Sequence, residues 1–186
     1  MGRILQLVAF LVTVLAMTSI SAGADGSASM KTVAKVDLDR YAGRWYEISR
    51  LPNRFQKGCA GNVTAEYVVR DDGRIDVVNR CSTTDGQEKR AAGVARIVDE
   101  KTGAKLKVRF APAVLSFLPM VWGDYWIIDL APDYSYAVVG EPSRKYLWVL
   151  SREPTLEDAT YRGILERIEA QGYDPNDLVS TPQDNQ

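Results

Sequence analysis

Enzyme chemistry near neutral pH commonly uses histidine, a cysteine thiolate or paired carboxylates, and this sequence has no histidine and two cysteines in 186 residues. Ser-His and Cys-His nucleophile pairs, histidine metal ligands and imidazole acid–base catalysis are therefore excluded. Two cysteines are too few for a structural zinc site, and no cofactor or metal is expected. Glu47 is a carboxylate among Trp45, Tyr46 and Ile48, where burial of an unpaired charge would be expensive. No second carboxylate is placed to share its work. It is expected to be a hydrogen-bonded structural acid at the boundary of a binding site. Cys59 and Cys81 are either thiols or a disulfide, and the N-terminus bears on which.

Met1-Gly2-Arg3, an apolar run from Ile4 to Met17 and a small, polar stretch from Thr18 to Ala24 follow the order of a secretory signal peptide. Ala22-Gly23-Ala24 fits a small-x-small cleavage site, so residues 1–24 are expected to be the leader. Export, to a periplasm or to the outside, favours a Cys59–Cys81 disulfide. A lipid anchor would need a cysteine at the cleavage site, and none precedes Cys59, so the exported protein is expected not to be lipid-anchored. A formal charge of −1 without a basic run argues against nucleic acid as a partner.

Candidate binding residues must be positioned by strands. Between residues 44 and 152 the chain forms short alternating or β-branched segments, near 44–50, 60–70, 74–83, 89–98, 104–110, 124–130, 135–140 and 145–151. Asp71-Asp72-Gly73 and Lys101-Thr102-Gly103 mark hairpin turns, and Pro132-Asp133 and Pro142-Ser143 mark two more. The predicted fold is all-β: an eight-stranded antiparallel up-and-down barrel, which leaves no sheet edge unpaired and has room for one small ligand. The period then becomes helical through Leu156, Ala159, Tyr161, Ile164, Leu165 and Ile168, with Thr155 as the expected N-cap and Gly172 as the stop. This C-terminal α-helix should pack outside the barrel. Residues 25–35 and 181–186, rich in small and polar types, are expected to be loose, leaving one domain at 36–180.

Gly43-x-Trp45-Tyr46, Asp133-Tyr134 and Leu150-Ser151-Arg152 resemble the three signature regions of the lipocalins, and the chain is similar to bacterial lipocalins and apolipoprotein D from about Val36 to Val179. Pro132-Asp133 stands where the family usually has Thr-Asp. The resemblance implies that Trp45 and Arg152 stack to close the barrel floor, with Gly43 allowing the close approach. Cation–π attraction of this kind is worth roughly 0.5–2 kcal/mol.

If Trp45 and Arg152 face inward, alternation turns Glu47, Ser49, Leu150 and Trp148 inward too, with bulges on the second and fourth strands able to shift the phase. By resemblance to the apolipoprotein D pocket, Tyr67, Asn79, Phe110 and Tyr125 line the cavity, with Tyr136 a weaker addition. Aromatic walls with a few polar groups suit a small amphipathic lipid such as a fatty acid or lysophospholipid. The apolar segment 111–122 at the open end has three readings: a portal with peripheral membrane contact, a lid, or a homodimer surface. The turn at Asp71-Asp72-Gly73 sets a register in which the cysteines are out of step, so their disulfide needs a bulge or bend. Asn62-Val63-Thr64 matches a glycosylation pattern but lies in a predicted strand, where a chance match is the better explanation.

Three functions are therefore compared. The first is a non-catalytic lipid carrier, which by resemblance serves membrane maintenance or stress at the outer membrane. The second is a lipid-transforming lipocalin enzyme, which would need a free cysteine. The third is an interaction module using segment 111–122.

Overall fold

The structure, a computed structural model, describes residues 29–184, so the expected leader lies outside the described residues. Eight antiparallel strands follow in order: β1 (Gly43–Arg50), β2 (Gly61–Val69), β3 (Ile75–Ser82), β4 (Glu88–Ile97), β5 (Lys105–Arg109), β6 (Gly123–Leu130), β7 (Tyr136–Gly140) and β8 (Leu147–Ser151). Each pairs with its neighbour in sequence, and β8 pairs back onto β1 to close the barrel. A four-residue helix, α1 (Leu38–Tyr41), lies just ahead of β1, and α2 (Asp158–Ala170) is the long helix.

Alternation sorts the apolar side chains into two cores. Ile75, Val77, Leu106, Ile127, Val139 and Leu150 fill the interior. Ile128, Val138, Leu147 and Val149 face outward, where Ile164 and Ile168 of α2 cover them. The helix starts later than Thr155: Glu157 is the N-cap, and Leu156 and Tyr161 pack in the same outer cluster on either side of it. This apolar bracket fixes the entry of the helix more strongly than a hydroxyl cap at Thr155 would. Its end is as expected, with Gly172 N donating to Glu169 O (2.8 Å) and Tyr173 N to Ile168 O (3.1 Å).

Both segments expected to be loose are docked where they are described. Met30 is buried in the outer core, while Val33 and Val36 pack on the inner one and Val33 N donates to Ile127 O at 3.0 Å. A few apolar anchors outweigh the small, polar composition of 25–35. At the other end, β9 (Val179–Ser180) pairs with Arg50 and Ser49 of β1. The cause is a gap: β1 pairs with β2 only from Gly43 to Tyr46, and above that point the last residues fill the space between them. Thr181 N donates to Ile48 O, Asn62 N donates to Pro182 O, and the Gln183 side-chain amide donates to Glu47 O (2.8 Å) and Val63 O (3.0 Å). Gly61 is required here, since a Cβ would lie 2.8 Å from Pro182 O.

Cys59 and Cys81 form a disulfide with a Cα–Cα separation of 5.6 Å. The register offset is absorbed by an irregularity between Gly61 and Thr64, where Asn62 takes a φ of 51°. The Asn62 side chain is held by Asp184 and Ser82, so a glycan there would have to displace the C-terminal segment. The other bulges are in β1, between Glu47 and Ser49, and in β6, between Ile127 and Asp129. The expected irregularity in β4 is absent, since its pairings run in register along both neighbours.

Replacing Gln183 with alanine leaves the carbonyls of Glu47 and Val63 without this donor. The expected cost is about 1–3 kcal/mol, measured by urea unfolding; an unchanged midpoint would show that the segment is not part of the wall.

Candidate functional site

The floor of the barrel is built first. Trp45 is fully buried, the Arg152 guanidinium lies 3.8 Å from its ring centroid, and its indole N–H donates to Tyr41 O at 2.8 Å. Arg152 also donates to Arg44 O (2.8 Å), Arg40 O (2.6 Å) and Tyr41 O (3.2 Å), so one side chain ties α1, β1 and the end of β8 together. Gly43 is required by its backbone, at φ +91°, rather than by crowding, since a Cβ there would make only an ordinary 3.4 Å contact with Arg152 Nη1. Asp133 accepts from Ser135 N and Oγ, and these bonds hold its carboxyl below the ordinary range. Next to it, the Tyr134 hydroxyl accepts from Asp37 N, and Arg40 stacks over the Tyr134 ring. Pro132 in place of Thr leaves the turn intact, and its carbonyl accepts from Arg40 Nη2. The three motif segments therefore meet around α1.

Above the floor, Tyr125 OH is 2.7 Å from Tyr41 OH and 2.8 Å from Tyr67 OH. Burial pushes Tyr67 up to about 12 and raises Tyr41 and Tyr125 well above the usual range, so all three stay neutral. The void beside them, bounded by Leu38, Val77, Leu106 and the three rings, is only about 10 Å³, about enough for one water molecule. Tyr67 and Tyr125 thus face inward as expected, but they fill the lower interior. Tyr41 was not foreseen, because it lies outside any alternating segment.

Space opens higher up. Asn79 faces inward between Ala65 and Ala91, and its Oδ1 is buried without a hydrogen-bond partner among the described residues. Phe110 lies against Gly93, where a Cβ would be 2.7 Å from the ring, and is 43% exposed. Residues 88–92 of β4 are exposed on both faces, so the cup is open to solvent there. Trp148 packs on the inner core and donates to Gln56 Oε1 at 2.9 Å. Gln56 in turn donates to Glu47 Oε2 at 2.6 Å, while Glu47 Oε1 accepts from Thr181 Oγ1 (2.5 Å) and Arg50 Nη1 (3.3 Å). Glu47 is only 3% exposed, and burial raises its carboxyl above the usual range against the pull of Thr181, Gln56 and Arg50. It is a buried, hydrogen-bonded acid.

Two inward assignments are corrected. Ser49 faces outward, because the β1 bulge flips the phase after Glu47; its hydroxyl accepts from Tyr161 OH of α2 at 2.9 Å, and Arg50 takes the inner position opposite Trp148. Tyr136 also lies outside the cavity. Pairing of Ala137 with Leu150 and Val139 with Trp148 makes those residues inward, so Tyr136 joins the outer core and accepts from Arg167 Nη2 at 2.9 Å. The residues 111–122 form two short 3₁₀ turns, and Trp122 folds back onto Arg96 and Arg109 of the outer wall, 4.4 and 5.3 Å from its ring. Val114, Phe117 and Met120 remain 75%, 74% and 88% exposed.

A closed eight-stranded cup with a plugged floor, an open mouth and an outer helix defines a calyx-type barrel, and comparison with known proteins gives its family. Residues 36–183 match the model of the lipocalin-like domain, and the chain belongs to the lipocalin family. It is 42% identical over 156 residues to temperature-induced lipocalin-1 of Arabidopsis thaliana, covering 83% of each chain. To outer membrane lipoprotein Blc of Vibrio cholerae it is 40% identical over 157 residues, covering 83% of this chain and 87% of the relative. Apolipoprotein D of Mus musculus is 32% identical over 157 residues, covering 80% and 78%. Insecticyanin from the tobacco hornworm Manduca sexta shares the fold, with a TM-score of 0.65 at 21% identity over 85% and 86% of the two chains.

Two outcomes follow. Arg152→Met removes a stacked cation and three hydrogen bonds and should cost about 2–4 kcal/mol in urea unfolding, with Arg152→Lys restoring only part because lysine lacks the planar fork. For Glu47, folding raises the carboxyl pKa, so its stabilising contribution is complete below the ordinary glutamate range and is lost as pH rises through the raised value. Wild type should therefore gain stability relative to Glu47→Gln as pH falls from 7 toward about 4.5; a pH-independent difference would contradict this.

Proposed function

We propose that the protein is an exported, non-catalytic carrier that holds a fatty acid, lysophospholipid or similar amphipathic lipid in the cup. The observation that supports this reading most directly is the gradient inside the barrel: tyrosines and aliphatic side chains below, then Trp148, Phe110, Asn79 and the Glu47–Gln56 network toward an open mouth. An apolar tail leaving water for such walls gains roughly 25 cal/mol per Å² buried, while polar groups near the mouth can meet the headgroup. The lipid-transforming alternative is disfavoured because both cysteines are joined in the disulfide and offer no thiolate.

Export is supported by the leader-like N-terminus and the disulfide. The bacterial relatives are named outer membrane lipoproteins. Likeness to them supports a protein acting at or near a membrane. Val114, Phe117 and Met120 at the open end would give it peripheral contact there, in preference to homodimerisation through the same loop. A role in membrane maintenance under stress accords with the name of the plant relative.

Native mass spectrometry of the exported protein should show a bound lipid, and Trp148→Ala should weaken binding about tenfold or more. Unchanged affinity for every lipid tested would remove Trp148 from the site. Phe117→Ser with Met120→Ser should abolish co-flotation with liposomes while leaving the barrel folded; loss of a dimer instead would favour the interaction module.

A further inference from the structure

The bulge in β1 places a guanidinium on the inner wall of the cup. Arg50, at the top of β1, pairs with Trp148 on one side and Val179 on the other, and its side chain is only 16% exposed. Its Nη1 is fully used, donating to Glu47 Oε1 and Thr181 Oγ1, each at 3.3 Å. Those two bonds fix the group from one side. The opposite edge, Nε and Nη2, makes no hydrogen bond among the described residues, and Nε is buried. Buried donors are rarely left without partners, because an unmade hydrogen bond forfeits the hydration lost on burial. The Nε–Nη2 edge is a fork that presents two parallel N–H groups, a match for a carboxylate or phosphate.

The mouth has the corresponding charge. Arg54, Lys57, Lys89, Arg90 and Lys145 lie at the open end against Asp85 and Glu88. Glu141 is there too, its carboxylate accepting from the N–H groups of Ser143, Lys145 and Tyr146. The cations around the mouth favour the local approach of an anion.

We infer that Arg50 anchors an oxyanion headgroup, carboxylate or phosphate, on its Nε–Nη2 edge, with the apolar tail of the same ligand directed into the barrel. This rests on the carrier reading and adds a requirement to it: the ligand must be anionic at its head. Glu47 and Thr181 act as positioning residues, aiming the fork from β1 and from the C-terminal segment respectively.

The test is calorimetric titration with dodecanoate, dodecanol and lauroyl lysophosphatidic acid, which share a chain length and differ in headgroup. At least one anion should bind the wild type tenfold or more tightly than dodecanol. In the charge-balanced double variant Glu47→Gln with Arg50→Gln, chosen to avoid leaving a lone buried carboxylate, that preference should fall below threefold. Whichever anion loses more identifies the carboxylate or the phosphate as the preferred source. Equal affinity of anions and alcohol for the wild type, or an anion preference that survives in a folded double variant, would overturn the Arg50 assignment and leave the carrier standing. Failure of all three to bind would overturn both. Arg50→Lys supplies the folding control, keeping the charge while losing the fork.

Discussion

The contact between Arg152 and Trp45 organises the rest of the molecule. A stacked cation on an indole is modest as a pair, but here the guanidinium also binds three backbone carbonyls from the α1 region and β1. Those bonds fix where β1 begins relative to where β8 ends, and so fix the closure of the barrel. Once that level is set, alternation along every strand has a reference, and the inner and outer cores follow. The Tyr41, Tyr67 and Tyr125 hydroxyls complete the plug above it, which confines usable space to the upper cup.

Much of the fold was legible because its signals are local. Strand limits came from alternation and turn residues, and the helix stop came from Gly172. The lower wall was legible too: once Trp45 and Arg152 are inward, Trp148 must be inward, and it is. Legibility failed where one residue changes the count. The bulge between Glu47 and Ser49 leaves no trace in residue type, yet it exchanges Ser49 for Arg50 on the inner face. Tyr136 is a different case, because continuing the β8 phase across the β7–β8 hairpin would have placed it outside.

Composition misled at the chain ends. Ser, Gly, Asn and Gln normally mark loose tails, but a tail is judged by the gap it meets. Gln183 is polar and lies near the terminus, yet it bridges two strands because β1 and β2 part above Tyr46. Gln56, Arg50 and Thr181 escaped notice for a related reason: each acquires its role from Glu47, a partner distant in sequence or across a bulge rather than in a periodic pattern.

The C-terminal wall segment also bears on how the chain folds. The first strand of the barrel is held on one side by β8 and on the other, along its upper half, by β9, which lies far from it in sequence. Contacts between the two ends of a chain are slow to form, because the loop between them must close first. The seam therefore closes late, and until residues 179–183 dock the barrel presents a free upper edge on β1 and β2. Docking of residues 179–183 turns an open edge into continuous wall, so the step that completes the barrel is also the one that makes it a container.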